Sequence, residues 1–160
     1  MKKEKVVLAV FGEGGHESQM NRLISGLGEG LALPVISLTD STREYHWAKK
    51  RILLPEVRDK HRRDIIGAVK RIAHLFIMFR KIASHYDIEA VISTGPGVAF
   101  FVALYFKYFA SAKVIHIETW SRFYSRSLTG KFIYRIADKF YVQNEELLAL
   151  YPKAEFSGRL

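Results

Sequence analysis

Apolar residues fall along this chain in short unbroken runs separated by longer amphipathic stretches. Val6–Phe11, Pro34–Leu38, Arg51–Leu54, Ala90–Ser93, Lys113–Ile117 and Lys139–Val142 are brief, rich in Val and Ile, and several are apolar throughout. Strands covered on both faces by helices in a parallel sheet read this way. The intervening stretches Glu17–Gly28, Arg62–His85, Gly97–Ala110, Ser127–Ala137 and Asn144–Leu150 carry helical spacing. Gly28 and Gly30 are placed to stop the first helix, and Ser127 and Asn144 to cap two later ones. Glu146 falls early enough to favour the dipole of the last helix. Strands alternating with helices predict an α/β fold, a doubly wound parallel sheet of Rossmann-like type. Its ligands belong at the carboxyl ends of the strands.

Two of the predicted helices have unusual faces. Arg62–His85 places Ile65, Ile66, Val69, Ile72, Ala73, Phe76, Phe79 and Ala83 at the spacing of a buried stripe. Leu75, Ile77, Met78 and Ile82 widen it, and Arg62, Arg63, Lys70, Arg71, Arg80 and Lys81 flank it. An apolar face rimmed by cations suits a membrane surface with anionic headgroups. A core helix with a wide buried face, or one packed against a partner, has the same pattern. Val98–Ala110 is apolar nearly all round and rich in Phe and Tyr, yet too short to span a bilayer. It reads as a central helix, with Tyr105, Tyr108 and Phe109 available for a membrane or protein interface.

Charge sharpens the picture. The formal net charge is +9, and 12 of the 25 Lys and Arg lie between Arg43 and Lys81 against four acids. A localised basic segment points to an anionic surface, or to a solvated face without a specific partner. No aromatic–glycine RNA motif, zinc pattern or helix-turn-helix accompanies it, so nucleic acid is not the expected partner. The 160 residues fit one domain, taken as residues 1–160, and 49% hydrophobic content marks a globular chain. Cysteine is absent and the six histidines are dispersed, so no metal site is expected. The apolar run that begins at Val6 is too short for a signal peptide or a membrane span.

Three loops hold the candidate chemistry. Gly12-Glu13-Gly14-Gly15-His16 follows the first strand and opens a helix. Glycines permit backbone N–H groups to approach a ligand, and the helix N-terminus adds partial positive charge. His16 is a candidate base or substrate donor. The pattern is neither the dinucleotide fingerprint nor a Walker loop, so no cofactor is implied. Ser93-Thr94-Gly95-Pro96-Gly97 repeats the strand, small-residue loop, helix layout. Thr94 is placed to cap, and its backbone with Gly95 and Gly97 is suited to a phosphate or sugar hydroxyl. Ile115-His116-Ile117-Glu118-Thr119-Trp120 ends a strand in a carboxylate; Glu118 is a second candidate base or a sugar contact. Each loop also has an ordinary structural reading.

Five motifs appear in order along the chain: Gly12-x-Gly14-Gly15-His16-x-x-x-Met20, Ser93-Thr94-Gly95-Pro96-Gly97, Ile117-Glu118, Ser127-Leu128-Thr129-Gly130-Lys131, and Tyr151-Pro152-Lys153-Ala154 with Gly158-Arg159-Leu160. The set resembles PssD-like exopolysaccharide proteins and their eukaryotic relative, the membrane-anchoring accessory subunit of a two-component UDP-GlcNAc transferase. That resemblance implies the amino-terminal, acceptor half of a GT-B glycosyltransferase of the MurG type. It implies a separate UDP-sugar-binding catalytic subunit as partner, and a lipid-diphosphate acceptor. The alternative is a non-catalytic anchor that recruits the catalytic subunit. On the first reading His16 is the preferred base, Glu118 the second choice, and Gly12, Gly14, Gly15, Thr94, Gly95 and Gly97 line the acceptor cleft. The basic helix would meet anionic lipid on the cytoplasmic face of the membrane. With the first strand beginning almost at once, attachment is expected to be peripheral.

Overall fold

A computed structural model describes residues 2–55 and 65–160. Seven strands form one sheet, and every pairing in it is parallel. They are β1 (Glu4–Val10), β2 (Val35–Thr39), β3 (Ala48–Leu53), β4 (Tyr86–Ser93), β5 (Lys113–Ile117), β6 (Lys139–Val142) and β7 (Glu155–Phe156). Spatially the order is β3-β2-β1-β4-β5-β6-β7, so the winding reverses between β1 and β4. Helices α1 (Gly15–Leu27), α2 (Ile65–His85), α3 (Ala99–Ala110) and α4 (Leu128–Ile133) make the crossovers, with short 3-10 turns at Gly28–Gly30 and Glu145–Ala149. The Rossmann-like α/β reading therefore holds.

Strand β1 shows why the sheet lies at the centre. Its side chains alternate between faces. Val6, Leu8 and Val10 enter a core with Leu75, Phe79 and Ile82 of α2 and Val102, Ala103 and Phe106 of α3. Val7, Ala9 and Phe11 enter the opposite core with Met20 and Ile24 of α1. Each fully buried side chain of this size adds about 1.5–3 kcal/mol of hydrophobic stabilisation. Phe11 also meets Tyr45 edge-on at 5.1 Å, which closes the β2–β3 connection over α1. A third cluster, Phe140, Val142, Leu147 and Tyr151, anchors the chain after β6.

The structure corrects several boundaries. Helix α2 buries Leu75, Phe79 and Ile82, an i, i+4, i+7 stripe, whereas Ile66, Val69 and Ala73 of the expected stripe are exposed. Both sets obey helical spacing, and packing against α3 and the sheet selects between them. Arg62 and Arg63 lie outside the described residues, while Lys70, Arg80 and Lys81 are exposed and Arg71 half-buried. Strand β4 starts directly at Tyr86, four residues earlier than Ala90, because its polar leading end pairs with Glu4 and Lys5 of β1. Strand β7 was not foreseen; two residues of pairing with β6 leave no periodicity to read. Ser127 caps α4 as expected, accepting a hydrogen bond from the Gly130 N–H at 2.8 Å. Asn144 does not cap. Its amide donates instead to the Trp120 and Arg122 carbonyls, at 2.9 and 2.5 Å. Thr94 does not cap α3 either, since its hydroxyl donates to the His16 carbonyl at 2.9 Å.

Candidate functional site

The reversal of winding between β1 and β4 opens a crevice at their carboxyl ends, where ligands of such sheets bind. The two glycine loops meet there. The Thr94 N–H donates to the Val10 carbonyl at 3.2 Å, and its hydroxyl ties it to the first turn of α1. The imidazole of His16 lies flat against Gly95. A β-carbon at Gly95, whose φ is +103°, would fall 2.5–3.0 Å from three of the ring atoms. Glycine is thus required at that position both by the backbone conformation and by the ring above it. Burial lowers the His16 pKa, outweighing the nearby Thr94 backbone and the carboxylates of Glu118 and Asp40, which favour the charged ring. A neutral imidazole at rest is the state a general base needs.

Glu118 follows β5 and is 1% exposed. Its Oε1 accepts from the Thr119 N–H at 3.0 Å. Its Oε2 accepts from the Tyr151 hydroxyl at 2.7 Å, the Ser127 hydroxyl at 3.0 Å and the Ser127 N–H at 3.4 Å. Gly130 faces this carboxylate, and any side chain there would collide with Oε2. The Tyr151 pKa is raised, first by burial and then by the carboxylate it donates to. Four donors on one carboxylate fix the path of residues 119–127 and tie α4 to β5.

Together these elements enclose a cavity of about 280 Å³. His16, Thr94, Gly95 and Gly97 line one side, and Glu118, Thr119, Ser127 and Thr129 the other. Gly12 faces the side chains of Pro96 and Asp40, whereas the space around Gly14 and Gly15 is open. The structure thus gathers His16, Glu118, Thr94, Gly95 and Gly97 around one cavity, whereas Gly12, Gly14 and Gly15, expected in the acceptor cleft, are not among its lining. The basic residues of α2 are not among its lining.

Sequence reasoning missed two contributors. His116, read only as part of a strand, is 1% exposed and lines the same cavity. A polar relay also supports the loop after β5: Gln19 Oε1 accepts from the Gln143 amide at 2.6 Å and from the Trp120 N–H at 3.2 Å. Gln143 donates in addition to the Glu118 carbonyl at 2.9 Å. A Gln-Asn pair at the end of β6 was the available signal, since strand carboxyl ends face the crevice. Among the described residues no cluster of His and acids is arranged to hold a metal ion.

Comparison with known proteins agrees with this architecture. Residues 7–160 match the family described as oligosaccharide biosynthesis protein Alg14 like. The UDP-N-acetylglucosamine transferase subunit alg14 of Schizosaccharomyces pombe is 26% identical over 179 residues, covering 97% of this chain and 83% of its own. The corresponding subunit of Kluyveromyces lactis is 27% identical over 189 residues, covering 99% and 79%. Among solved structures, Acinetobacter baumannii MurG superposes with a TM-score of 0.65 at 16% identity, over 98% of this chain and 44% of MurG. UDP-N-acetylglucosamine 2-epimerase from Rickettsia bellii gives 0.63 at 15% identity, over 99% and 45%. At such identities the structural likeness speaks for the fold, and the chain spans less than half the length of either neighbour. With its parallel sheet, its paired glycine loops and a match running from Val7 to the last residue, the chain belongs to the Alg14-like family of oligosaccharide biosynthesis proteins.

Proposed function

We propose that this chain is the acceptor-side subunit of a bipartite glycosyltransferase. With a separate UDP-sugar-binding subunit, it transfers a sugar to a lipid-diphosphate acceptor on the cytoplasmic face of the membrane. The observation that carries the reading is the cavity at the winding reversal, where His16 is held neutral beside hydroxyl and backbone groups. Relatives named as transferase subunits support the need for a partner. Inverting sugar transfer requires a base that takes the proton of the attacking hydroxyl as the leaving nucleotide departs. His16 fills that role here. Glu118, with its oxygens already engaged, holds the wall rather than the proton.

Peripheral membrane contact is the finer part of the proposal. Ile77 of α2 and Tyr108 and Phe109 of α3 are 68%, 62% and 73% exposed. Phe109 stacks on Tyr105 at 5.1 Å, and Tyr105 meets Phe76 edge-on, so the two helices form one aromatic face. Exposed Lys70, Arg80 and Lys81 supply cations for anionic headgroups. No described helix is long and apolar enough to cross a membrane.

The test is reconstitution. The purified chain alone should transfer no sugar, and the pair should do so with a lipid-diphosphate acceptor. Robust transfer by the isolated chain would contradict the two-subunit arrangement. His16→Ala should lower turnover of the intact pair by about a hundredfold or more, the usual contribution of a general base. Unchanged turnover would leave the chain an anchor that recruits its catalytic partner.

A further inference from the structure

His116 is the polar group that neither the fold nor the proposed base explains. It sits in β5 opposite Ser93 of β4, with its ring 5.0 Å from that of Phe140. Neither ring nitrogen meets a hydrogen-bond partner among the described residues, although the ring is 1% exposed and lines the cavity. A buried polar group without a partner costs stability and calls for a reason. Its neighbours do not supply one. Glu118 is engaged by four donors of its own, the Thr94 hydroxyl is committed to His16, and the Ser127 hydroxyl is committed to Glu118.

We propose that His116 is a specificity-determining contact for a neutral sugar hydroxyl at the floor of the cavity, and that this floor is not a phosphate site. This rests on the acceptor-side reading above. A neutral imidazole carries a proton on one nitrogen and a lone pair on the other. A hydroxyl that reaches either nitrogen satisfies it, because O–H both donates and accepts. An anionic phosphate oxygen satisfies only the N–H. The Glu118 carboxylate in the same wall opposes a second negative charge at that depth. Burial keeps the His116 ring uncharged, with its pKa lowered to about 4, so the ring offers no compensating cation. Arg122, an exposed residue of the same lining, is the cation present instead, and a diphosphate can meet it in solvent. The sugar is therefore held inward and the diphosphate outward.

Histidine-labelled protein titrated with methyl N-acetylglucosaminide and, separately, with inorganic pyrophosphate tests this by ¹⁵N NMR. The sugar should move the His116 ring signals and pyrophosphate should leave them in place. His116→Phe, which assigns those signals by removing them, should not lower the melting temperature, because phenyl fits beside Phe140 and removes the unpartnered nitrogens. In the reconstituted pair, His116→Phe should raise the acceptor KM about tenfold with little change in kcat, the loss of one neutral hydrogen bond. His116→Asn, which keeps a polar edge, should recover part of it. Pyrophosphate moving the ring while the sugar does not would overturn the proposal. So would silence from both probes, which would make trapped water the partner of His116. Either result leaves the transfer assay of the pair to judge the acceptor-side reading independently. Failure of that assay with an intact sugar response would sink the subunit assignment and not the contact.

Discussion

The carboxylate of Glu118 takes up four donors, and Gly130 is shaped around it. Gly130→Ala should therefore cost about 3 kcal/mol or more, since the groups it would strike, Glu118 Oε2 and the Tyr151 and Ser127 hydroxyls, hold one another in place by hydrogen bonds. A chemical denaturation midpoint would show it. Glu118→Gln turns one acceptor into a donor facing the Tyr151 and Ser127 hydroxyls, and a loss of about 2–3 kcal/mol is expected. If Glu118→Gln instead kept full stability while turnover of the pair collapsed, the side chain would belong to the chemistry. Acid sensitivity also belongs at this scale. The unfolded His116 takes up a proton near pH 6.5, whereas the folded ring stays neutral down to about pH 4. Between these values the unfolded state binds more protons, so stability falls as pH drops through that window and then levels off. The loss reaches about 3 kcal/mol. His16, lowered in the same direction, adds to it. Stability of His116→Phe followed against pH should show a shallower acid limb than the parent; parallel limbs would contradict the buried neutral ring. The sequence exposed His16 and Glu118 through their position after strands. It concealed His116, because a histidine inside an apolar run is indistinguishable from a packed one until the cavity beside it is seen.

Helix α4 is six residues long and depends on its start. Ser127→Ala removes both the cap on the Gly130 N–H and a donor to Glu118, so about 1–2 kcal/mol should be lost. The α2–α3 face is predicted to matter for vesicles and not for folding. Ile77→Glu combined with Phe109→Glu should reduce sedimentation with anionic vesicles severalfold, while the melting temperature stays within a few degrees. Unchanged sedimentation would remove this face from the membrane proposal. Periodicity located α2 but not its rotation. Two overlapping stripes satisfy the same spacing in its sequence, and only contact with Phe106 and the sheet chose Leu75 and Phe79 as the inner one.

For the whole molecule, the sheet order sets where chemistry is possible. Placing β4 beside β1 joins loops 78 residues apart in the chain, and the Thr94–His16 hydrogen bond is their seam. By itself the sequence determined the alternation of strand and helix, the glycine-rich strand exits, the concentration of basic charge and the family. These follow from local rules: side-chain periodicity, the conformational freedom of glycine and the residues that begin helices. Tertiary structure alone decided the rotation of α2, the commitment of Glu118 to its own loop and the entry of His116 into the cavity. Those outcomes depend on which atoms from distant segments reach the same few ångströms, and no spacing within a single segment encodes that.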